Sequence, residues 1–292
     1  MIVITGADGL VGRAVCEYLR GANQKIIPIV HRKKDITSTD AIVADLSKAN
    51  SFRYLKNIEI IGLIHLAAAV PLSSYYPDTG ESAELTRAID NNVLSFCKTT
   101  KIPVIYMSTC GLYDRSSSIV KFENDPSIIK IESPYLSAKY EGEVLFSNEV
   151  LAVIIRLASP IGIGQKASVV LSRFIMAARA NMPLQIWGSG MREQNFIDVR
   201  DVAKLICDAI FHPKACLINV ANCQATTMVE LAKNVIKTVG MGEVIFTNTM
   251  DPKEGETARY SIEKAYKLYK WTPCYTLQDS IKWIVNEKFD ES

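Results

Sequence analysis

Tyr135 and Lys139 stand four residues apart in the segment Pro134-Tyr135-Leu136-Ser137-Ala138-Lys139. On a helix that spacing puts both side chains on one face. An isolated phenol titrates at about pH 10 and is a poor base at neutral pH, whereas a neighbouring ammonium favours the phenolate. Such a pair can exchange a proton with an alcohol or ketone, the step that accompanies hydride movement to or from a carrier. A third group, Thr109, follows the strand-like run Val104-Ile105-Tyr106-Met107 and would present its hydroxyl to the same reacting oxygen. Thr109, Tyr135 and Lys139 are therefore the candidate catalytic residues, and Lys139 is also placed to hold the carrier's ribose.

The carrier's own signature lies at the other end of the chain. Thr5-Gly6-Ala7-Asp8-Gly9-Leu10-Val11-Gly12 joins the strand-like run Ile2-Val3-Ile4 to a helical pattern in which Val11, Val15 and Leu19 recur at four-residue spacing. Glycines in this arrangement allow a tight turn, close approach of a pyrophosphate and close helix–strand packing, and the helix N-terminus offers free N–H groups to phosphate. Gly6, Asp8, Gly9, Leu10, Val11 and Gly12 are the expected dinucleotide contacts. The second strand ends Pro28-Ile29-Val30-His31-Arg32-Lys33, with no carboxylate to meet a ribose 2′-hydroxyl; Asp35 comes several residues later. Arg32 stands where a 2′-phosphate would sit, so NADP is the expected cofactor, with NAD the alternative. Asp45 and Leu46, after a short third strand, are positioned to meet the adenine; a helix cap is the other reading of Asp45.

Short β-branched runs alternate with helical patterns through the first half, with strands near 25–30, 41–43, 62–66, 104–107 and 152–155 and helices near 83–100 and 134–149. That alternation predicts an α/β protein with a doubly wound parallel sheet. The alternation loosens after residue 158, where Pro160, Gly162 and Gly164 interrupt the chain. The expected division is a dinucleotide-binding domain over 1–158, completed by about 195–221, and a smaller mixed α/β substrate lobe from 159–194 and 222–292. Further helices are expected at 168–181 and around 202–210, and strands at 217–220 and 243–246. A formal net charge of +2 without a long basic run argues against nucleic acid as a partner. No apolar run is long enough to span a bilayer. The start on a strand-like Met1 to Thr5 reads as lacking a signal peptide, so a cytoplasmic setting is expected. Seven scattered cysteines without a C-x-x-C pair, and three histidines, suit reduced thiols and no metal site.

Gly6-x-x-Gly9-x-x-Gly12, His65-Leu66-Ala67-Ala68, Asn92, Ser108-Thr109, Tyr135-x-x-x-Lys139, Arg156-Leu157-Ala158-Ser159-Pro160, Phe196-Ile197-Asp198-Val199-Arg200-Asp201-Val202-Ala203 and Trp271-Thr272-Pro273 occur in this order. Together they resemble the extended short-chain dehydrogenase/reductase family, in particular its nucleotide-sugar epimerases, dehydratases and 4-ketoreductases. The resemblance implies a Rossmann-type sheet, a bound NAD(P), and a C-terminal lobe holding a nucleoside-diphosphate sugar. It implies cofactor contacts at Leu66, Ala67, Ala68 and Asn92, and at Pro160 and Ile161 near the nicotinamide. Ser108 and Thr109 are the matching substrate contacts, and a homodimer through the helices near 83–100 and 134–149 is expected.

Departures from the family pattern narrow the chemistry. Family 4,6-dehydratases carry an Asp-Glu pair after the catalytic Ser or Thr; Cys110 and Gly111 stand there, which disfavours elimination of water. Cys110 reads as a small core residue. The usual Asn of R-x-x-N is Ser159, and the usual Arg before the F-x-x-V-x-D-like block is Gln194. Arg192, Lys253 and Arg259 are the candidate cations for a diphosphate. Trp187 suits base stacking or lobe packing equally, Asp198 and Asp201 suit helix capping, and His65 suits a loop-fixing hydrogen bond. The function expected is hydride transfer at a sugar carbinol or ketone, as an epimerase or 4-ketoreductase. The alternative is a non-catalytic dinucleotide-binding sensor or scaffold, which retention of Thr109, Tyr135 and Lys139 argues against.

Overall fold

The computed structural model describes residues 1–32, 40–71 and 79–286. Asp35 and the C-terminal residues 287–292 lie outside the described residues. Strands β1 (Ile2–Thr5), β2 (Ile26–Val30), β3 (Ile42–Val43), β4 (Gly62–His65), β5 (Val104–Thr109), β6 (Ala152–Leu157) and β11 (Cys216–Val220) form one seven-stranded sheet in the order β11-β6-β5-β4-β1-β2-β3. Every pairing in it is parallel. Strands covered on both faces read as continuous apolar runs, which is why Ile2–Thr5 and Ala152–Leu157 are wholly buried. The chain leaves β1 for β2 on one side and returns through β4 on the other, so the carboxyl edge at β1 and β4 is a topological switch point, where such sheets bind ligands.

Alternation of side chains along each strand feeds two cores. Ile2, Ile4, Ile105 and Ile155 face α1 (Leu10–Gly21) and α5 (Val199–Phe211), packing with Val15, Leu19, Val202 and Ile206. Val3, Leu63, Val104 and Ile154 face α2 (Glu81–Thr100) and α3 (Pro134–Glu149), with Val93, Cys97 and Phe146. Helix α2 starts two residues earlier than the sequence pattern suggests, because Gly80 at φ +89 turns the chain into it. Helix α3 starts where expected: Pro134 sits in its first turn and the Ser133 hydroxyl accepts from the Leu136 N–H.

A third core lies beyond β6. It is built from β7 (Ser159–Ile161), α4 (Val170–Arg179), β8 (Leu184–Ile186), β10 (Phe196–Asp198), α6 (Met228–Val239) and α8 (Leu277–Asn286), through Ile161, Ile175, Leu184, Phe196, Leu231 and Ile281. Helix α4 is shorter than the expected 168–181. Two-stranded pairs stiffen this lobe: β7 with β10, β9 (Glu193–Gln194) with β12 (Thr226–Thr227), and β8 with β13 (Val244–Phe246). Helix α7 (Glu263–Tyr269) packs on β11. Asp198 caps α5 by accepting from the Arg200 N–H, in line with its sequence reading. Asp201 does something else: its buried carboxylate accepts the N–H groups of Cys274 and Tyr275, fixing the chain just after Trp271-Thr272-Pro273.

Candidate active site

The turn from β1 to α1 has the geometry of a phosphate cradle. Gly6 takes φ +66, and a Cβ there would lie 2.8 Å from the Ala67 amide nitrogen. A Cβ on Gly12 would lie 2.1 Å from the Gly6 carbonyl oxygen, so only glycine lets the helix pack this tightly on the turn. Gly9 caps α1 in an extended conformation without any side-chain cap. The first-turn N–H groups of α1 therefore remain available to an anion, which fits a dinucleotide pyrophosphate. Gly12→Ala is expected to weaken NAD(P) binding by about tenfold or more, read by titration of nucleotide fluorescence. Unchanged affinity would mean that the turn does not bind phosphate.

Around this turn the expected cofactor residues divide. Asp8, Leu10 and Val11 are half-buried on the turn itself, and Leu66, Ala67 and Ala68 are half-buried at the end of β4. Arg32 is exposed, two residues past β2. Asp45 accepts from the Ser47 N–H and hydroxyl, which hold its carboxyl below the usual range. The Leu46 side chain is buried in the core between sheet and α2. The Asn92 amide donates to the Leu46 carbonyl at 2.9 Å, so it holds the 45–46 segment in place instead of facing a ligand with that group. Ile161 is likewise buried in the small lobe, leaving its main chain and the half-buried Pro160 toward the cleft edge.

Helix α3 carries Tyr135, Lys139 and Glu143 at four-residue spacing, one turn above another. Lys139 is buried, with its ammonium 4.1 Å from the centre of the Tyr106 ring. Beneath it runs a polar chain. The Thr5 hydroxyl accepts from the N–H groups of Leu66 and Ala67, so its own proton goes to His65 Nδ1 at 2.8 Å. His65 Nε2 then donates to Asp90 at 2.9 Å, and the Tyr106 hydroxyl donates to the other Asp90 oxygen at 2.8 Å. Burial lowers the His65 pKa, consistent with a neutral ring in this tautomer. His65 thus ties the end of β4 to α2, as its sequence reading held. Gly142 belongs to the same design: a Cβ there would lie 2.0 Å from the Tyr106 hydroxyl oxygen.

Burial pushes the Tyr135 phenol up to about 12, with Asp90 adding to the shift. Burial also lowers the Lys139 pKa, opposed by Asp90 and Glu143. The adjacent ammonium therefore does not by itself bring the phenol down, contrary to the simplest expectation from spacing. The physical reason is burial of the phenol, which penalises the phenolate, with the Asp90 carboxylate adding to it. Tyr135 is a protonated acid in this state, and a further positive charge beside it would be needed to make it a base.

Thr109 and Ser108 part company. The Thr109 hydroxyl accepts from the Gly111 N–H at 3.0 Å and lines a cavity of about 160 Å³ with Arg115, Ser159, Gln194 and Tyr260. Ser108 is buried, and its hydroxyl donates to Glu143. Successive strand residues point to opposite sides, so Ser108 belongs to the buried Glu143–Arg156 pair and not to the cleft. Cys110 is a core residue, as read: it is buried, its thiol donates to the Arg156 carbonyl, and burial raises its pKa.

A second cavity of about 390 Å³ continues past Tyr260, lined by Val120, Glu193, Cys223, Gln224, Ala225 and Arg259. The cations expected at a diphosphate are mostly engaged. Arg192 pairs with Asp251 at 2.7 Å and Arg259 with Glu193 at 2.6 Å, while Lys253 is half-buried beside Asp251. The two departures from the family pattern meet in the cavity beside Thr109, the Gln194 amide donating to the Ser159 hydroxyl at 2.6 Å. Trp187, just after β8, is half-buried. Sequence reasoning missed Arg115, Asp90 and Glu143, whose partners are 13 to 142 residues away. Among the described residues no group of His, Cys, Asp and Glu is arranged to hold a metal.

A doubly wound sheet with this phosphate turn, and a Tyr–Lys helix at its carboxyl edge, defines an oxidoreductase of the extended short-chain dehydrogenase class. The chain belongs to the NAD dependent epimerase/dehydratase family, whose sequence profile matches residues 2–221. It is 26% identical to a Methanocaldococcus jannaschii protein provisionally named a UDP-glucose 4-epimerase, over 98% of this chain and 97% of that one. It is 22% identical to a UDP-glucuronate 4-epimerase of Thermodesulfobacterium geofontis, over 97% of this chain and 94% of the relative. Its fold matches the UDP-glucose 4-epimerase of Thermotoga maritima, crystallised with UDP-glucose, at a TM-score of 0.87, with 20% identity and 97% of both chains covered. The protein is thus an enzyme of the NAD-dependent epimerase/dehydratase family.

Proposed function

We propose that the protein moves hydride at one carbon of a nucleoside-diphosphate sugar, as an epimerase or a 4-ketoreductase, with Tyr135 as the acid and base. The observation that carries this reading is the stacking of Tyr135 and Lys139 on α3 at the carboxyl edge of the sheet, with the Thr109 hydroxyl on the neighbouring β5 lining a cavity there. A bound nicotinamide would supply the hydride acceptor and, when oxidised, a positive ring. Tyr135 would donate its proton to a sugar ketone, or take one from a carbinol once that charge is beside it. Lys139 would hold the ribose, and Thr109 would hold the reacting oxygen. Cys110 and Gly111 offer no acid–base couple for eliminating water, which supports a simple transfer at a carbinol or ketone over dehydration.

NADP is the proposed cofactor, because the tip of β2 carries Arg32 and no carboxylate among the described residues. Arg32→Ala is expected to weaken NADPH binding by about tenfold while NADH binding stays the same. Equal loss for both nucleotides would overturn the assignment. The α2–α3 face, which exposes Leu85 and Val144, is the proposed homodimer surface, and seven unpaired thiols fit a reducing cytoplasm. Mass spectrometry of nucleotides released from freshly purified protein tests the reading. A dinucleotide together with a nucleotide sugar supports it. Cofactor retained through turnover favours the epimerase, and cofactor lost on dialysis favours the reductase. A protein that neither releases nor binds any dinucleotide is not this enzyme.

A further inference from the structure

The cavity beside Thr109 has one charged side chain among its lining residues, Arg115. Arg115 lies in the segment after β5, and the side chain is 19% exposed. Its Nη2 donates to the Glu193 carbonyl at 2.9 Å and its Nε to the Thr257 carbonyl at 3.4 Å. Its Nη1 lies 3.0 Å from Glu256 Oε2, yet that buried oxygen has no hydrogen bond. The contact is a charge pair without the alignment of a hydrogen bond, so Nη1 keeps donor capacity. The other arginines of the lobe differ. Arg192 and Arg259 each make short hydrogen bonds to a carboxylate.

A second cation stands behind the same segment. Lys121 is fully buried, and its ammonium donates to the Ser117 carbonyl and the Thr257 hydroxyl. Among the described residues no carboxylate lies within ion-pair distance of it. Thr257 therefore has a cation on each side; among the described residues the carboxylate paired with Arg115 is Glu256, and Asp114 and Glu193 act on Lys121 only at longer range. A half-buried guanidinium whose paired carboxylate is poorly aligned can still take a further anion. The same cavity contains Gln194, where the family carries an arginine, and the Gln194 amide is occupied by Ser159.

The geometry points to Arg115 as the residue that receives an anionic oxygen group of the substrate, a sugar carboxylate or the diphosphate, in the cavity beside Thr109. This rests on the nucleotide-sugar reading above. It makes Arg115 a specificity residue, and Glu256 a carboxylate that competes with the substrate anion for it. In the free protein Glu256 holds the guanidinium near the cavity. When the anion arrives, the loosely aligned Glu256 contact gives way to aligned hydrogen bonds.

Calorimetric titration of the cofactor-loaded protein with UDP, UDP-glucose, UDP-glucuronate and dTDP-glucose tests this in wild type, Arg115→Gln and Glu256→Gln, with thermal melting as the check on folding. Arg115→Gln is expected to weaken the affected probes by about tenfold or more. Loss confined to UDP-glucuronate assigns the anion to the sugar carboxylate, and loss across all probes assigns it to the diphosphate. Glu256→Gln is expected to tighten the same probes several-fold, an outcome that a purely structural role for Arg115 does not produce. Should Arg115→Gln fail to fold, Arg115→Lys and Glu256→Gln carry the test. Wild-type affinity in Arg115→Gln, or weakening in Glu256→Gln, overturns the role of Arg115. A wild type that binds a dinucleotide but none of the four probes overturns the nucleotide-sugar reading itself, and this inference with it.

Discussion

Tyr135→Phe is expected to lower kcat by about 10²–10⁴-fold while nucleotide-sugar and cofactor affinities change little. The substitution removes one oxygen and leaves the ring in place. Tyr135 sits in the first turn of α3, where the helix start is held by the Ser133 cap and Pro134, and thermal melting of the variant checks that the fold is kept. What is lost is the proton at the cleft. Burial pushes the phenol up to about 12, so at neutral pH it is protonated and suited to donate to a ketone. Oxidation of a carbinol needs the phenolate. Its rate is therefore expected to rise with pH until the cofactor-lowered pKa of Tyr135 is passed, while reduction stays flat over the same range. Single-turnover rates in both directions separate the two. A Phe variant with wild-type rates would remove Tyr135 from the chemistry.

Glu143→Ala is expected to cost about 3–5 kcal/mol of stability, read as a lower denaturation midpoint. Glu143 and Arg156 are both about 4% exposed and joined by two parallel hydrogen bonds of 2.9 and 2.6 Å. The Ser108 hydroxyl also donates to Glu143. Removing the carboxylate leaves a guanidinium buried against the Tyr113 ring, with its Nη1 already lacking a hydrogen bond. The double change Glu143→Met with Arg156→Met removes both charges and is expected to lose much less than Glu143→Ala alone. Equal losses in the single and double variants would show that packing volume, not the uncompensated charge, sets the effect. Glu143 also helps keep Lys139 protonated one turn away, so the single variant is expected to disturb the ammonium under Tyr135 as well.

The features legible in the sequence are those imposed by local backbone geometry or by periodicity. Gly6 is fixed by its positive φ and Gly12 by its contact with the Gly6 carbonyl in the same turn, and Tyr135 and Lys139 share one helical face, so local spacing is informative. The parallel, doubly wound character of the sheet follows from the alternating elements and the right-handed crossover. Ser108 shows a limit that the pattern itself contained: neighbours on a strand face opposite ways, so Ser108 and Thr109 could not both line the cleft. The pairings of Arg192 with Asp251 and Arg259 with Glu193 span 59 and 66 residues, and nothing in local spacing announces them. Arg115 was hidden for the same reason. Its role depends on the segment after β5 lying against Thr257, 142 residues later. Nothing in local spacing marks Asp90, whose partners His65 and Tyr106 reach it from β4 and β5.

Hydride movement at a sugar carbon through this site is open to a test by isotope transfer. Stoichiometric protein loaded with NADP or NAD is mixed with UDP- and dTDP-sugars deuterated at the carbinol carbon, and cofactor and sugar are analysed by mass spectrometry. In the reverse arm, reduced cofactor deuterated at the nicotinamide meets the corresponding keto-sugars. Deuterium is expected to appear on the nicotinamide for a reductase, or back on the same sugar carbon with inverted configuration for an epimerase, and Tyr135→Phe is expected to stop both. Deuterium that stays on the sugar with unchanged configuration at that carbon, and on the nicotinamide, with every pair tried would contradict hydride movement at this site.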